Sequence, residues 1–272
     1  GYEALRAAGS SRESLVGSDI GVFIGIAAAD WTDVVRASHL ASSVYAATGS
    51  SHSIASGRIS FVLGIQGPCV SYDTACSAAL VATHAAWRAQ QLEECTSSLV
   101  GGVSMMLLPH VSMTFAMAGM LSPRGRCHTF DSRADGYARG EACCALTLAS
   151  GAGWPPFCRA EVRQSRVRQD GRSASLTAPN GQAQRDLLTA VYAVQLGSES
   201  TMVLDGIEAH GTGTQLGDPV EVRALAAAVL RSQPPQTQFL ASSLKANAGH
   251  AEPAAGLAGL IALELSLFAE SQ

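Results

Sequence analysis

The sequence predicts an α/β protein. Short β-branched or apolar runs bounded by Gly, Pro or Ser alternate with Ala-rich stretches of helical length, and the chain is 47% apolar but only 15% charged. Strand, tight turn and helix in repetition are what a buried, largely parallel sheet covered by helices requires. An ordinary soluble domain carries about 25% charge, so much of this surface is expected to be buried in core or against a partner. At 272 residues the chain is long enough for a substantial core.

Each element follows from local pattern. Ile20 to Ile26, Cys69 to Asp73, Leu99 to Met106, Cys144 to Leu148 and Met202 to Ile207 read as strands. Ser77 to Glu94, Gly181 to Leu196, Asp218 to Arg231 and Ala251 to Phe268 read as helices. Gly1 to Gly9 reads as a helix already in progress without a cap, and the last helix runs into Gln272 without a stop signal, so both ends read as cut. Trp154-Pro155-Pro156 is the one credible linker. It divides the chain into an N-terminal half, 1–150, and a C-terminal half, 151–272.

Charge and cysteine usage exclude several classes. With 18 basic and 22 acidic residues the net charge is −4, neither a basic field for nucleic acid nor a strong acidic tail. The most apolar run, Leu257 to Phe268, is interrupted by Glu264 and falls short of the ~18 residues a membrane span needs. Seven cysteines are an odd number, and they lack Cys-x-x-Cys spacing, which speaks against a disulfide framework and against a zinc site. No secretory signal opens the chain. Reduced thiols in a cytoplasmic protein are the expectation, with an organelle left open because the N-terminus reads as incomplete.

The segment Cys95 to Pro123 holds 29 residues without Asp, Glu, Lys or Arg, and five of the six methionines. Two readings fit it: a deep core segment, or an obligate interface or adaptable pocket for flexible apolar ligands.

Three segments carry candidate chemistry. Asp73-Thr74-Ala75-Cys76-Ser77-Ala78-Ala79-Leu80 places Cys76 where a strand ends and a helix begins. The free N–H groups and positive dipole end there favour a thiolate nucleophile, although a buried small hydrophobe is the plain alternative. Glu208-Ala209-His210-Gly211-Thr212-Gly213-Thr214 follows a strand, so His210 sits where α/β proteins place ligands. Its glycines do not make a dinucleotide fingerprint, because Leu216 stands where glycine is needed. His250 closes a small-residue loop, Lys245-Ala246-Asn247-Ala248-Gly249-His250, and Lys245 is the only lysine in the chain. Either histidine alone is as well explained by a structural role. Ser104 lacks the final glycine of a hydrolase elbow. The arginines 159, 163, 166, 168 and 172 read as the solvated face of a strand, with docking of a carrier protein as the minority reading.

Taken together these segments resemble the ketosynthase (β-ketoacyl synthase) domain of multidomain polyketide and fatty-acid synthases. Asp73 to Leu80 resembles the family's nucleophile motif, Glu208 to Glu221 its first histidine motif and Lys245 to Gly256 its second, in the family's order. Gly119 to Pro123, Phe130 to Glu141 and Pro179 to Gln184 also match. The resemblance covers essentially the whole chain, as the central part of the family domain. It implies a thiolase-like fold of two stacked α/β halves in alternating helix and sheet layers (αβαβα), and a homodimer. It implies Cys76 as acyl acceptor, with His210 and His250 binding a malonyl-type extender, assisting its decarboxylation and stabilising the enolate. Lys245 matches a lysine that supports the second histidine, and Thr212 and Thr214 match threonines that contact the phosphopantetheine arm.

No cofactor of its own is then expected; the domain would act on phosphopantetheine thioesters of an acyl carrier protein, beside neighbouring synthase domains. Ser98 to Met106 would be an edge strand pairing with its copy across a twofold axis. A catalytically silent piece serving dimerisation or carrier binding is the runner-up. Two departures stand out: Ala142-Cys143-Cys144 follows Glu141 where the family usually has glycine, and Ala78-Ala79 follows Ser77 where serines are frequent.

Overall fold

The computed structural model describes residues 1–27, 30–150, 160–195, 203–234 and 238–270. In chain order its elements are α1 (Tyr2–Ala7), α2 (Arg12–Leu15), β1 (Gly21–Ile26), α3 (Asp30–Arg36), α4 (Ala46–Ser50), α5 (His52–Leu63), β2 (Cys69–Tyr72), α6 (Ala78–Gln91), β3 (Ser97–Ser104), α7 (His110–Met117) and β4 (Ala142–Ala149). There follow α8 (Gly181–Gln195), β5 (Gly206–Glu208), α9 (Gly217–Ala228), β6 (Leu240–Ser242), α10 (Lys245–Ala248) and α11 (Ala255–Glu270). Two compact units emerge. Gly1–Met113, Gly140–Ala160 and Ala251–Ile261 form the first; Thr114–Arg139, Glu161–His250 and Ala262–Gln272 form the second.

The first unit is built on a four-stranded sheet in the order β2-β1-β3-β4. Strands β2, β1 and β3 run parallel, and β4 closes the sheet antiparallel to β3. Side chains alternate across the pleat, and β1 shows the consequence. Val22 and Ile24 join Leu5, Leu15, Leu63, Ile65 and Leu99 in one apolar layer. Phe23 points to the opposite layer, with Val100, Leu257 and the alanines of α6. The sheet is therefore covered on both faces, as buried parallel strands require.

Helix α6 buries Ala78, Ala79, Ala82, Ala86 and Ala89, a helical stripe of small residues that brings its axis close to the sheet. Contact is closest at Gly25, where an added Cβ would lie 2.4 Å from the backbone N of Ala79. A side chain in β1 at that point would push the start of α6 off the strand.

The second unit pairs β5 with β6 in parallel. Tyr192 of α8 and Leu225, Ala228 and Val229 of α9 and its end form its core, with Ile207 and Phe239 packed against them.

Several boundaries move from the expected ones. The strand expected over Leu99 to Met106 lies two residues earlier, because the Met106 amide leaves the ladder to donate to the Glu141 carboxylate at 2.6 Å. Helix α6 ends at Gln91, before Glu93, which takes a left-handed φ of 59°. The strand expected from Met202 runs Gly206–Glu208, and Met202 itself lies outside the described residues, as does the linker Trp154-Pro155-Pro156.

Two readings are corrected. Ser98 to Met106 does not provide a sheet edge: β3 is hydrogen-bonded to β1 on one side and β4 on the other, so its backbone has no row of groups left for a second copy. The described arginines at 163, 166, 168 and 172 are exposed, but 160–180 forms no strand; Arg163 and Arg168 instead lie near Glu161 and Asp186, at 3.2 and 3.4 Å.

Candidate active site

Cys76 belongs to the first unit, on the turn between β2 and α6. Asp73 accepts a hydrogen bond from the Ala75 amide at 3.1 Å, and Ala75 takes a left-handed φ of 53°. A non-glycine residue held there costs on the order of 1–2 kcal/mol, a strain of the kind that collects at functional turns. The Ser77 hydroxyl donates to the Thr74 carbonyl at 2.9 Å and contacts its Oγ1 at 2.8 Å. The turn thus reverses direction in three residues and sets Cys76, half-buried, just ahead of the 14-residue α6. The N–H groups at that helix start favour negative charge. Because β1, β2 and β3 are parallel, Cys76 leaves the sheet at the same carboxyl end as the loops that follow β1 and β3.

The other predicted residues belong to the second unit. The ladder between β5 and β6 continues for one more bond, from the Ala209 amide to the Ser242 carbonyl at 2.7 Å, and delivers His210 just beyond the strand. Three carboxylates then hold the loops. Glu221 of α9 accepts from the backbone amides of His210 and Gly211, at 2.6 and 2.8 Å. Asp218, buried, accepts from the amides of Gly213, Thr214 and Phe130 at 3.1, 3.3 and 2.8 Å. Glu208 accepts from the Leu244 amide at 2.7 Å, which fixes the start of α10 and with it the buried Lys245.

The glycines of this loop permit close packing of backbone. Gly213 has a φ of 78°, and a Cβ on it would sit 2.5 Å from the His128 N. His250 follows α10 and donates its amide to the Ala138 carbonyl at 2.7 Å. Its ring meets Tyr137 edge to face at 5.2 Å and His210 edge to face at 5.5 Å. Thr212 and Thr214 place their hydroxyls 3.5 Å apart, and the Thr214 oxygen accepts from the Gly217 amide at 3.2 Å.

Burial dominates the electrostatics. It pushes His250 down to about 3, helped by His210 and by the Lys245 charge. His210 keeps an exposed face, yet the protein packed around it, together with Lys245, lowers it to about 4. Both imidazoles are neutral near pH 7 and can each offer one N–H donor and one acceptor. His250 Nδ1 is buried without a partner among the described residues, which leaves hydrogen-bonding capacity unspent. Burial also raises Glu221, against the two amides that lower it.

The structure thus brings His210, His250, Lys245 and the two threonines into one neighbourhood of the second unit. Sequence reasoning gave no role to Asp218 or Glu221. Their signal is spacing: acidic residues in the first and second turns of a helix that directly follows a glycine-rich loop are placed to accept the loop's amides. The uncharged stretch Cys95 to Pro123 divides rather than following one reading. Ser98, Leu99 and Val100 are fully buried, whereas Met105, Met113, Met117 and Met120 are exposed. Exposed Cys143 and half-buried Cys144 lie on the edge strand β4, and burial raises the Cys144 thiol.

The chain belongs to the β-ketoacyl synthase family: the family's N-terminal domain matches residues 1–152 and its C-terminal domain residues 159–270. It is 40% identical over 270 residues to a phenolphthiocerol/phthiocerol polyketide synthase of Mycobacterium tuberculosis, covering 98% of this chain and 15% of that protein. It is 41% identical over 271 residues to the spectinabilin polyketide synthase system protein NorC of Streptomyces orinoci, covering 98% of this chain and 12% of that one. Among solved structures it is similar to the ketosynthase from module 6 of the bacillaene synthase of Bacillus subtilis 168, with a TM-score of 0.82, 34% identity and coverage of 97% of this chain and 46% of that one. The fold is thiolase-like, and the family type is that of polyketide synthases. The chain spans a small part of the length of these synthases and under half of the solved ketosynthase. Among the described residues, no helix is long and apolar enough to cross a membrane.

Proposed function

We propose that this chain carries the condensing chemistry of a polyketide synthase module, with Cys76 as acyl acceptor and His210 and His250 as the extender-binding pair. The Cys76 thiolate attacks an incoming acyl thioester, and the carrier thiol leaves. A malonyl-type extender on the phosphopantetheine of an acyl carrier protein then loses CO2. The resulting enolate attacks the Cys76 thioester, forming the carbon–carbon bond and releasing the Cys76 thiolate. Covalent catalysis divides one hard condensation into two easier steps.

The observation that carries this reading is the pair of neutral imidazoles in edge-to-face contact, His210 held by its amide on Glu221 and His250 by its amide on the Ala138 carbonyl. Neutral N–H donors aimed at a developing enolate oxygen stabilise it without first losing a proton to water. Lys245 supports the electrostatics of both rings, and Thr212 and Thr214 contact the pantetheine arm. The phosphopantetheine belongs to the carrier; the domain brings no cofactor of its own.

A homodimer is part of the proposal, with β2 as the joining strand in place of β3. β2 is an edge strand, its residues Cys69 to Tyr72 bear no charge, and α5 packs on it while exposing Phe61 and Val62. Uncharged edges are the ones open to pairing.

The test is acyl loading followed by mass mapping. Cys76→Ala should abolish loading, and His210→Ala or His250→Ala should leave loading intact while decarboxylation and condensation fall on the order of 100- to 1,000-fold. Label moving to Cys143 in the Cys76→Ala protein at the normal rate would overturn the assignment. Loading without any condensation in the unaltered chain would favour a catalytically silent piece.

A further inference from the structure

The segment Arg126 to Phe130 of the second unit is bonded to both histidine loops, through different residues. Toward the His250 loop it offers the Cys127 thiol, which is 3% exposed. The Ala138 amide donates to the Cys127 sulfur at 3.2 Å, and the thiol donates to the Ala138 carbonyl at 3.6 Å. That same carbonyl accepts the His250 amide at 2.7 Å, and Arg139 pairs with His250 in a single parallel bridge. Gly249 makes room for the pairing: its φ is 76°, and a Cβ on it would lie 3.1 Å from the Arg139 carbonyl oxygen. Toward the His210 loop the segment offers Thr129, whose hydroxyl donates to the Gly211 carbonyl, and Phe130, whose amide ends on Asp218.

His250 Nδ1 is buried without a partner among the described residues, so no hydrogen bond at that nitrogen orients the ring. The ring is then placed by its main chain, and that main chain hangs on Ala138, both of whose backbone polar groups face the Cys127 sulfur. A cysteine serves a donor and an acceptor together only while it keeps its proton. Burial raises the Cys127 thiol above the ordinary cysteine value, so it stays protonated near pH 7. Phe130 closes the segment with a left-handed φ of 53°, a strain that persists only where the surroundings over-determine the backbone. Two donors that share one oxygen are effective only at a fixed spacing, and here one five-residue segment is tied to both of their loops.

We propose that Cys127 and Thr129 are positioning residues: from one short segment the Cys127 thiol sets the His250 loop and the Thr129 hydroxyl sets the His210 loop, so that the two imidazoles keep the spacing at which both reach the extender's carbonyl oxygen. The inference rests on the reading of His210 and His250 as the extender-binding pair. Neither residue touches the extender; each acts through the backbone of a loop that carries a histidine.

The experiment measures three things on the full chain: decarboxylation of malonyl N-acetylcysteamine thioester, loading of Cys76 by the acetyl thioester, and amide hydrogen exchange at Ala138, His210, Gly211 and His250. In Cys127→Ala the Ala138 and His250 amides should exchange about 10- to 100-fold faster. The kcat of decarboxylation should fall about 10- to 100-fold with KM changed less than about twofold, and loading should keep the wild-type rate. Cys127→Ser retains a group that both donates and accepts, and should bring kcat back to within about threefold of wild type. Thr129→Val should free the His210 and Gly211 amides, leave His250 protected and lower kcat about tenfold, which keeps the test open if Cys127→Ala fails to fold. Faster exchange with unchanged kcat would reduce the segment to a structural role and overturn the positioning. Loading and decarboxylation falling together would overturn it as well. Unchanged exchange in both variants would overturn the grip itself. A wild-type protein that loads yet does not decarboxylate would defeat the extender-binding reading and the positioning with it, a failure seen in the unaltered chain and so distinct from loss of the grip.

Discussion

The imidazoles of His210 and His250 meet edge to face, with 5.5 Å between centroids and 88° between planes. A proton on either ring would face burial and the Lys245 charge, and on His250 also the neighbouring ring of His210. The pair therefore works as two neutral donors, and its behaviour with pH follows from that.

Decarboxylation should stay level from about pH 8 to pH 5 and fall only as the pH approaches about 4, the value to which His210 is lowered. A rate of the decarboxylating step that declines as the pH rises through about 6.5 would show an imidazolium at work and reverse the donor assignment. Stability carries the same signature. With the folded pKa below the unfolded one, the unfolded chain binds the proton first, so stability is lost as the pH falls from about 6.5 towards the folded values. His250→Gln should flatten that slope in urea titrations between pH 6.5 and 4.

Buried Asp218 accepts the amides of Gly213, Thr214 and Phe130. Asp218→Ala should destabilise the second unit by on the order of 3 kcal/mol, through buried N–H groups left unpaired. Glu221→Ala frees only the amides of His210 and Gly211. It should spare most of the stability and slow decarboxylation by about 10- to 100-fold, with loading of Cys76 unchanged. Equal losses in loading and decarboxylation would show general unfolding instead.

Gly25→Ala tests whether the nucleophile is placed by helix-on-strand contact. The new Cβ would meet Ala79 N at 2.4 Å and Ala79 Cα at 2.5 Å, backbone that cannot rotate away. A loss of about 1–3 kcal/mol is expected, together with slower acylation of Cys76. Normal thermal stability with normal loading would mean that α6 shifts without consequence.

Val70 lies on the edge strand β2 and Val103 inside the sheet. Val70→Asp should convert dimer to folded monomer in sedimentation experiments, because a charge on an edge blocks pairing. Val103→Asp should instead unfold the first unit, as a charge does in a strand paired on both sides. A Val70→Asp protein that remains dimeric would remove β2 from the interface.

What the sequence determined by itself was whatever short-range pattern encodes. Short apolar runs at Ile20 to Ile26 and Cys69 to Asp73 and the Ala-rich stretch from Ser77 announce strands and helix, since local composition and the bounding Gly, Pro and Ser depend on that stretch alone. The nucleophile turn and the two histidine loops were legible as motifs for the same reason. Sheet order was not, because neighbours in a sheet are chosen by contacts far apart in sequence. An uncharged Ser98 to Met106 looked like an edge, but pairing with β1 and β4 makes it interior.

The tertiary structure alone decided which carboxylates hold which loops. Asp218 reaches Phe130 across 88 residues and Asp30 reaches Leu108 across 78, distances over which no local pattern carries information. It also decided the protonation of the histidines. A residue's neighbours in sequence say little about how much water the fold takes away from it, and desolvation is what sets the charge of His210 and His250.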